Sequence, residues 1–204
     1  MSVFRAPNER RVDAALLLSL WANASSHPRE DAGDKLRQMK LAFLASHQLA
    51  AEDIAALHLA FFRWTWGPMS NEVYATWEDL EEAGLMESEE HFVLTRAGES
   101  FAQAFYSEVL RDERNAAVRE VFDAIASEWV AKPATAPLLD YVYRMEVTPI
   151  GAEGPRAIRD IRKGEELIQP LASADARTRL YVDTGWLETL ALTLAPTSAA
   201  RLAR

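Results

Sequence analysis

The stretch from Phe61 to Phe101, FFRWTWGPMSNEVYATWEDLEEAGLMESEEHFVLTRAGESF, constrains the fold more than any other part of the chain. Trp64-Thr65-Trp66 is an aromatic and β-branched run suited to a short strand. Gly67-Pro68 breaks it, because proline lacks an N–H and glycine admits unusual dihedrals. Ser70 or Asn71 can N-cap a helix over Ser70 to Ala83, with Glu72 in the first turn where the helix dipole favours a carboxylate. Val73, Trp77 and Leu80 then fall at i, i+4 and i+7, one buried stripe. Gly84 suits the C′ position. Leu85-Met86 and Phe92-Val93-Leu94 flank the polar run Glu87-Ser88-Glu89-Glu90-His91, the pattern of a hairpin. Thr95 can cap a further helix that opens with Arg96-Ala97-Gly98. Helix, hairpin and helix in this order predict the second half of a winged helix.

The charges oppose the usual use of such a unit. The predicted helix carries Glu72, Glu78, Asp79, Glu81 and Glu82 and no basic residue. With Val73, Trp77 and Leu80 inward, a 3.6-residue period sends Glu78, Asp79 and Glu82 outward. The hairpin adds Glu87, Glu89 and Glu90. Protein–DNA affinity rests largely on Lys and Arg neutralising phosphates, so this surface would repel a DNA backbone. Only Arg63 and Arg96 offer local relief.

The whole chain points the same way. Its 204 residues can bury a substantial core, 49% are hydrophobic, and the net charge is −9. That charge argues against nucleic acid or an anionic membrane as the main partner. Cysteine is absent, which excludes disulfides, thiol catalysis and cysteine metal sites. No apolar run approaches the roughly 20 residues that span a bilayer, and the start, MSVFRAPNERR, lacks the apolar segment of a signal peptide. The expected location is the cytoplasm, and nothing excludes a homodimer.

Helical periods recur along the rest of the sequence. Val12, Ala15, Leu16, Ser19 and Leu20 mark a first amphipathic helix ending near Trp21-Ala22-Asn23. A second, about Asp31 to Gln48, carries Leu36, Met39, Phe43, Leu44 and His47 on one side. Ala51 to Phe62 also reads as helical, with Ile54, Leu57, His58 and Phe61 in register. Further helices are expected from Arg96 to Arg111, through Val118, Val121, Phe122, Ile125 and Trp129, and over Leu138, Tyr141, Val142 and Met145. Pro149 to Pro155 reads as a linker or sharp loop. Beyond it, Ile158, Ile161 and Leu167-Ile168 suggest a helical element interrupted at Gly164, and Leu180 to Leu194 a last helix. The tail from Ala195 to Arg204 is expected to fray. The expected architecture is mainly α with a small β wing: a winged helix-turn-helix core with flanking helices over 1–148, and a helical C-terminal extension over 149–204.

No motif argues for catalysis. The chain has no HExxH, no G-x-S-x-G and no phosphate-binding glycine motif. His27, His47, His58 and His91 have no carboxylate arranged nearby in sequence as a ligand set; His47 and His58 fall on or near apolar faces and read as structural. Glu81-Glu82 and Glu89-Glu90 read as solvated faces. No catalytic residue, metal or cofactor is expected. Two basic groupings remain: Lys35, Arg37 and Lys40 on the second helix with Arg5, Arg10 and Arg11 before or opening the first, and Arg156, Arg159 and Lys163 at i, i+3 and i+7. The second reads first as ordinary salt bridging with Glu153, Asp160, Glu165 and Glu166, and otherwise as a face for an acidic partner or for phosphates.

Several segments carry a family resemblance. Asp34-Lys35-Leu36-Arg37-Gln38-Met39-Lys40-Leu41 resembles the K-L-Q-K-L helix of the Panacea, or SocA-like, phage-associated antitoxin domains. Phe62-Arg63-Trp64-Thr65-Trp66-Gly67-Pro68-Met69-Ser70 resembles their F-x-x-x-x-Y-G-P-x-S turn, with Trp66 where tyrosine is common. Leu80-Glu81-Glu82-Ala83-Gly84-Leu85 and Leu94-Thr95-Arg96-Ala97-Gly98 resemble the L-x-x-x-G-L and L-T-x-x-G steps that follow. Leu138-Leu139-Asp140-Tyr141-Val142-Tyr143 is similar to a helix of related winged-helix proteins. The resemblance covers about residues 10 to 145. It implies a non-enzymatic module that neutralises a toxin, sometimes with a regulatory role.

Charge and resemblance together give the expected function: an antitoxin-like interaction protein that binds a protein partner through Glu78, Asp79 and Glu82 on the helix and Glu87, Glu89 and Glu90 on the wing. The alternative is a winged-helix transcription regulator, in which Lys35, Lys40 or the Arg156, Arg159 and Lys163 face contacts DNA.

Overall fold

Helix α1 (Pro7–Asn23) is the axis of the core. Every residue from Val12 to Trp21 is buried in the computed structural model, which describes residues 5–29, 33–87, 92–171 and 175–195. Pro7 opens the helix at the position where a missing N–H costs nothing, and the Glu9 carboxylate reaches back to accept the Ala6 N–H at 2.7 Å. The predicted amphipathic stripe is thus a helix apolar nearly all round, as a central helix must be. Leu16, Leu17, Leu18 and Leu20 are fully enclosed, each worth roughly 1.5–3 kcal/mol over an exposed leucine.

Helix α2 (Lys35–Ala51) starts where the Asp34 carboxylate accepts the Arg37 N–H at 2.7 Å, so the predicted start at Asp31 falls outside the described residues. Arg37 is buried, and its guanidinium donates to the carbonyls of Ala24, Trp129 and Lys132. One side chain therefore joins the C-terminal ends of α1 and a later helix. The expected helix over Ala51 to Phe62 is absent. Asp53 takes a positive φ of 56°, and the chain then runs extended through β1 (Ile54–Ala55) into β2 (Phe61–Trp64). The apolar register that looked helical is read instead by α1, α2 and the strand partners of this segment.

Thr65-Trp66 is the turn of a hairpin between β2 and β3 (Gly67–Met69), not a strand. Pro68 is tolerated within β3 because this is an edge strand. Opposite it, the Arg63 N–H and carbonyl point away and are taken by the Glu165 carbonyl at 2.9 Å and the Gly164 N–H at 2.7 Å.

The central segment follows the predicted order. Helix α3 (Asn71–Glu82) buries Val73, Trp77 and Leu80. It ends in a Schellman turn: the Leu85 N–H reaches the Leu80 carbonyl, the Gly84 N–H reaches the Glu81 carbonyl, and Gly84 has φ 68°. Strands β4 (Met86–Glu87) and β5 (Val93–Leu94) pair antiparallel. Helix α4 (Arg96–Phe105) is capped by the Thr95 hydroxyl, which accepts the Gly98 N–H at 3.0 Å and donates to the Gly84 carbonyl at 2.7 Å. Gly98 has a separate reason to be glycine: a Cβ there would stand 1.9 Å from the Leu85 carbonyl oxygen.

Helix α4 widens into a π-helical segment over Tyr106–Leu110, and α5 (Ala116–Val130) and α6 (Thr135–Arg144) complete the helical layer. The expected linker over Pro149 to Pro155 is the loop between β6 (Glu146–Val147) and β7 (Arg156–Ala157). The segment beyond is not the predicted helix. After β7 comes a single 3-10 turn, Ile158–Asp160, then β8 (Glu166–Ile168), which pairs with β2. Strand β9 (Thr178–Arg179) pairs parallel with β1, and α7 (Thr184–Thr193) packs on α1. The C-terminal part is therefore not simply a helical extension: besides α7 it supplies short strands to sheets begun before residue 148. Its anchor is the buried Asn115, which accepts the Tyr181 N–H and donates to the Tyr181 carbonyl, each at 2.8 Å. The molecule is mainly helical with small sheets, and among the described residues no helix is long and apolar enough to cross a membrane.

Candidate functional site

The outward stripe of α3 consists of Asn71, Tyr74, Glu78 and Glu82, all exposed. Their spacing of three to four residues follows from the inward spacing of Val73, Trp77 and Leu80. Two carboxylates of the predicted partner face, Glu78 and Glu82, therefore stand on one solvent-facing line. Asp79 does not join them. It is half-buried and accepts hydrogen bonds from the Arg10 guanidinium of α1. Its job in this structure is to tie α3 to α1. Glu87 is exposed at the start of the hairpin; Glu89 and Glu90 lie outside the described residues.

The basic residues do not assemble into a phosphate-binding face. Lys35 is exposed, but its ammonium lies 5.2 Å from the Phe92 ring centroid and 5.8 Å from that of Trp77. Lys40 is only 2% exposed and donates to the Pro68 carbonyl at 2.7 Å. The expectation that it contacts DNA fails on burial: α2 is enclosed on nearly all sides by α1, α5, α6 and the β2–β3 hairpin. Arg156, Arg159 and Lys163 do not share a helix face because their segment is not a helix. Arg156 pairs with Glu165 at 2.6 Å, Arg159 with Asp160 at 3.7 Å, and Lys163 is exposed on a turn.

Beside the acidic stripe lies a feature that reading the sequence missed. Trp64 (47% exposed), Trp66 (62%) and Tyr74 (39%) surround a small groove of about 60 Å³, with Met39 and Lys40 beneath them and Lys35 at the rim. Three exposed aromatic rings at one place are uncommon on a surface with no partner. The tight β2–β3 turn produces the exposure, since Trp64 and Trp66 sit on either side of Thr65 with no layer outside them. A signal for this existed: Tyr74 precedes Glu78 by one helical turn and shares its outward face.

The second cluster assembled by the fold is buried. Asp13, fully enclosed on α1, accepts from Arg5 Nη1 at 2.8 Å and from the His58 backbone N–H at 3.0 Å, and its Oδ1 lies 3.0 Å from His58 Nδ1. Glu9 approaches His58 Nε2 at 3.8 Å. His58 thus has a carboxylate partner after all, supplied from 45 residues earlier, a distance no local spacing rule could bridge. Burial opposes charge on the imidazole, but the hydrogen bond the ring donates to Asp13 and the charges of Asp13 and Glu9 outweigh burial and Arg5, so its pKa stands above the ordinary value. The ring borders a cavity of about 230 Å³ lined also by Glu9, Arg179 and Leu187. His47, by contrast, lies against the Phe43 ring, and burial lowers its pKa.

Comparison of the chain with protein-family models, with curated proteins and with solved structures returned no match. The functional reading therefore stands on the acidic stripe, the aromatic groove and the buried clusters themselves.

Proposed function

We propose that this chain is a non-enzymatic interaction protein of the winged-helix class, antitoxin-like in its mode of action, that binds a basic protein partner through the outward face of α3. The observation that carries the reading is the continuous exposed line from Tyr74 through Glu78 to Glu82, an aromatic anchor followed by two carboxylates with no basic residue on the same helix. Aromatic anchors supply interface energy, and carboxylates around them set partner choice and association rate. The winged-helix assignment is supported by the order α3, β4–β5 ribbon, α4. It is supported further by the local work done by several residues of the family-like steps: Ser70 at the start of α3, Gly84 at its end, Thr95 and Gly98 at the start of α4.

The test is capture of partners by the tagged wild-type chain and by a Glu78→Lys, Glu82→Lys variant. Asp79 is left alone, because reversing it would also break the tie to Arg10. A protein retained by wild type and lost by the variant, with association slowed roughly tenfold at low salt by the reversal, is the expected result. Identical capture by both removes this face from the interface. A gel shift at low salt addresses the DNA-binding alternative, and retardation of duplex DNA at micromolar protein would overturn the protein-partner reading.

A further inference from the structure

The groove beside α3 has a floor that the partner reading leaves unused. Lys40 and, behind it on β2, Arg63 are 2% and 7% exposed, and among the described residues neither is ion-paired. Lys40 Nζ has three donor positions, of which the Pro68 carbonyl takes one. Arg63 donates through Nε to the Ile158 carbonyl at 2.8 Å, while its buried Nη1 has no hydrogen-bond partner. Burying a cation without a counter-charge is costly, and two neighbouring ones compound the cost. The surface above Lys40 is a cup of exposed aromatic rings. Gly67 lies against this floor, where a Cβ would stand 3.4 Å from Lys40 Cε.

We propose that this groove binds a small free carboxylic acid carried on an aromatic ring, the carboxylate over Lys40 Nζ and the ring between Trp64, Trp66 and Tyr74. A monoanion matches a single ammonium with two unfilled donors. The aromatic walls select a flat ring, which stacks or packs edge-on against them. The groove is small, about 60 Å³, and open on its outer side, so the acid group would enter it while the ring lies over it against the exposed faces of Trp64, Trp66 and Tyr74.

The charged and titratable groups facing the ammonium are Arg63 on β2, Asp34 and Lys35 on α2, Tyr74 on α3 and Tyr143 on α6. Burial first, then the Arg63 charge, lower Lys40 to about 7, with Asp34 acting in the opposite sense. A carboxylate placed over the amine favours its charged form. Binding therefore takes up protons near neutral pH, and it weakens by up to about tenfold per pH unit above that value. Apart from Tyr74 the site is separate from the acidic stripe, so it stands whether or not that stripe binds a protein.

The experiment is titration calorimetry with 3-phenylpropionate and its neutral isostere 3-phenylpropionamide, in two buffers of different ionisation enthalpy. The expected result is that the acid binds with proton uptake and at least about tenfold more tightly than the amide. Lys40→Met, which replaces the buried ammonium by an apolar chain of similar length, is expected to bind acid and amide alike. Trp66→Ala, at an exposed position, is expected to weaken both. The Glu78→Lys, Glu82→Lys protein is expected to bind the acid as wild type does, which separates failure of this proposal from failure of the partner reading. Equal binding of acid and amide by wild type, a preference that survives Lys40→Met, unchanged binding by Trp66→Ala, or no heat with the acid at about 10 mM would each overturn the proposal. So would a hexapeptide ending in phenylalanine that outcompetes the free acid tenfold, since that places a chain terminus in the groove.

Discussion

Two of the buried charge clusters among the described residues are built to opposite rules. Around Asp13, one enclosed carboxylate is met by Arg5, by the His58 ring and by the His58 backbone N–H. Around Lys40, two enclosed cations donate to carbonyl oxygens and lie beside aromatic rings, and among the described residues neither is ion-paired with a carboxylate. The first arrangement is complete, and it joins the N-terminal residues, α1 and the extended segment before β2. The second is incomplete, and its lysine lines a groove where three aromatic rings are exposed together. A filled charge cluster belongs to the fold; an unfilled one beneath an open groove has room for something from outside.

The sharpest way to break this contrast is Asp13→Ala. It leaves Arg5 and His58 enclosed without their counter-charge, and removing one partner of a buried ion pair costs about 3–5 kcal/mol. A comparable loss in denaturant midpoint, with the slope unchanged, is the expected outcome by urea titration. A loss under about 1 kcal/mol would mean that water or another group satisfies Arg5 and His58, and the cluster would not be the anchor described.

Lys40→Met makes the opposite prediction. It removes an uncompensated charge, so the variant is expected to be at least as stable as wild type at pH 6, by about 1 kcal/mol after the lost bond to Pro68 is offset. The sign with pH follows from the depressed value. Below about 7 the lysine is charged in both folded and unfolded chains and its burial penalty is fully present. Between about 7 and the ordinary 10.5 the folded chain sheds a proton that the unfolded chain keeps, so wild-type stability rises with pH, at most by roughly 1.4 kcal/mol per pH unit. The variant lacks that rise. Parallel pH profiles for the two proteins would show Lys40 to be solvated, and the incomplete cluster would not exist.

What could be read from the sequence divides along the same line, between local and distant causes. Gly84 and Thr95 could be placed because each acts at the end of its own helix, whereas the need for glycine at Gly98 comes from the Leu85 carbonyl, 13 residues earlier. Val73, Trp77 and Leu80 were legible as the buried side of α3, and so Glu78 and Glu82 as the exposed side. Asp79 was misassigned because its partner, Arg10, lies 69 residues away. Lys40 was misread because its period places it on a helix surface, and only the β2–β3 hairpin covers that surface. The segment from Ile158 to Ile168 has helical spacing but strand neighbours: β8 exists because β2 offers an edge, which no local pattern records. The aromatic groove was hidden for the same reason, since its walls come from α2, a hairpin and α3.

The finest probe of the contrast is the imidazole of His58, where the two clusters should bend the stability profile in opposite directions. Its folded pKa is raised by the Asp13 hydrogen bond and by the Asp13 and Glu9 charges, against burial and Arg5. The stabilisation from the protonated ring is therefore fully present below the unfolded value of 6.5 and is lost as pH rises through the folded value. His58→Gln keeps a donor near Asp13 but cannot titrate. It is expected to cost about 1 kcal/mol, a typical net hydrogen-bond contribution, at pH 6, and to cost less as pH rises above 6.5. Urea titrations of both proteins at pH 5.5, 6.5 and 7.5, roughly bracketing the unperturbed histidine value, measure this directly. A deficit that stays constant across that range would assign His58 a neutral, purely steric place beside Asp13, and Arg5 alone would then balance the buried carboxylate.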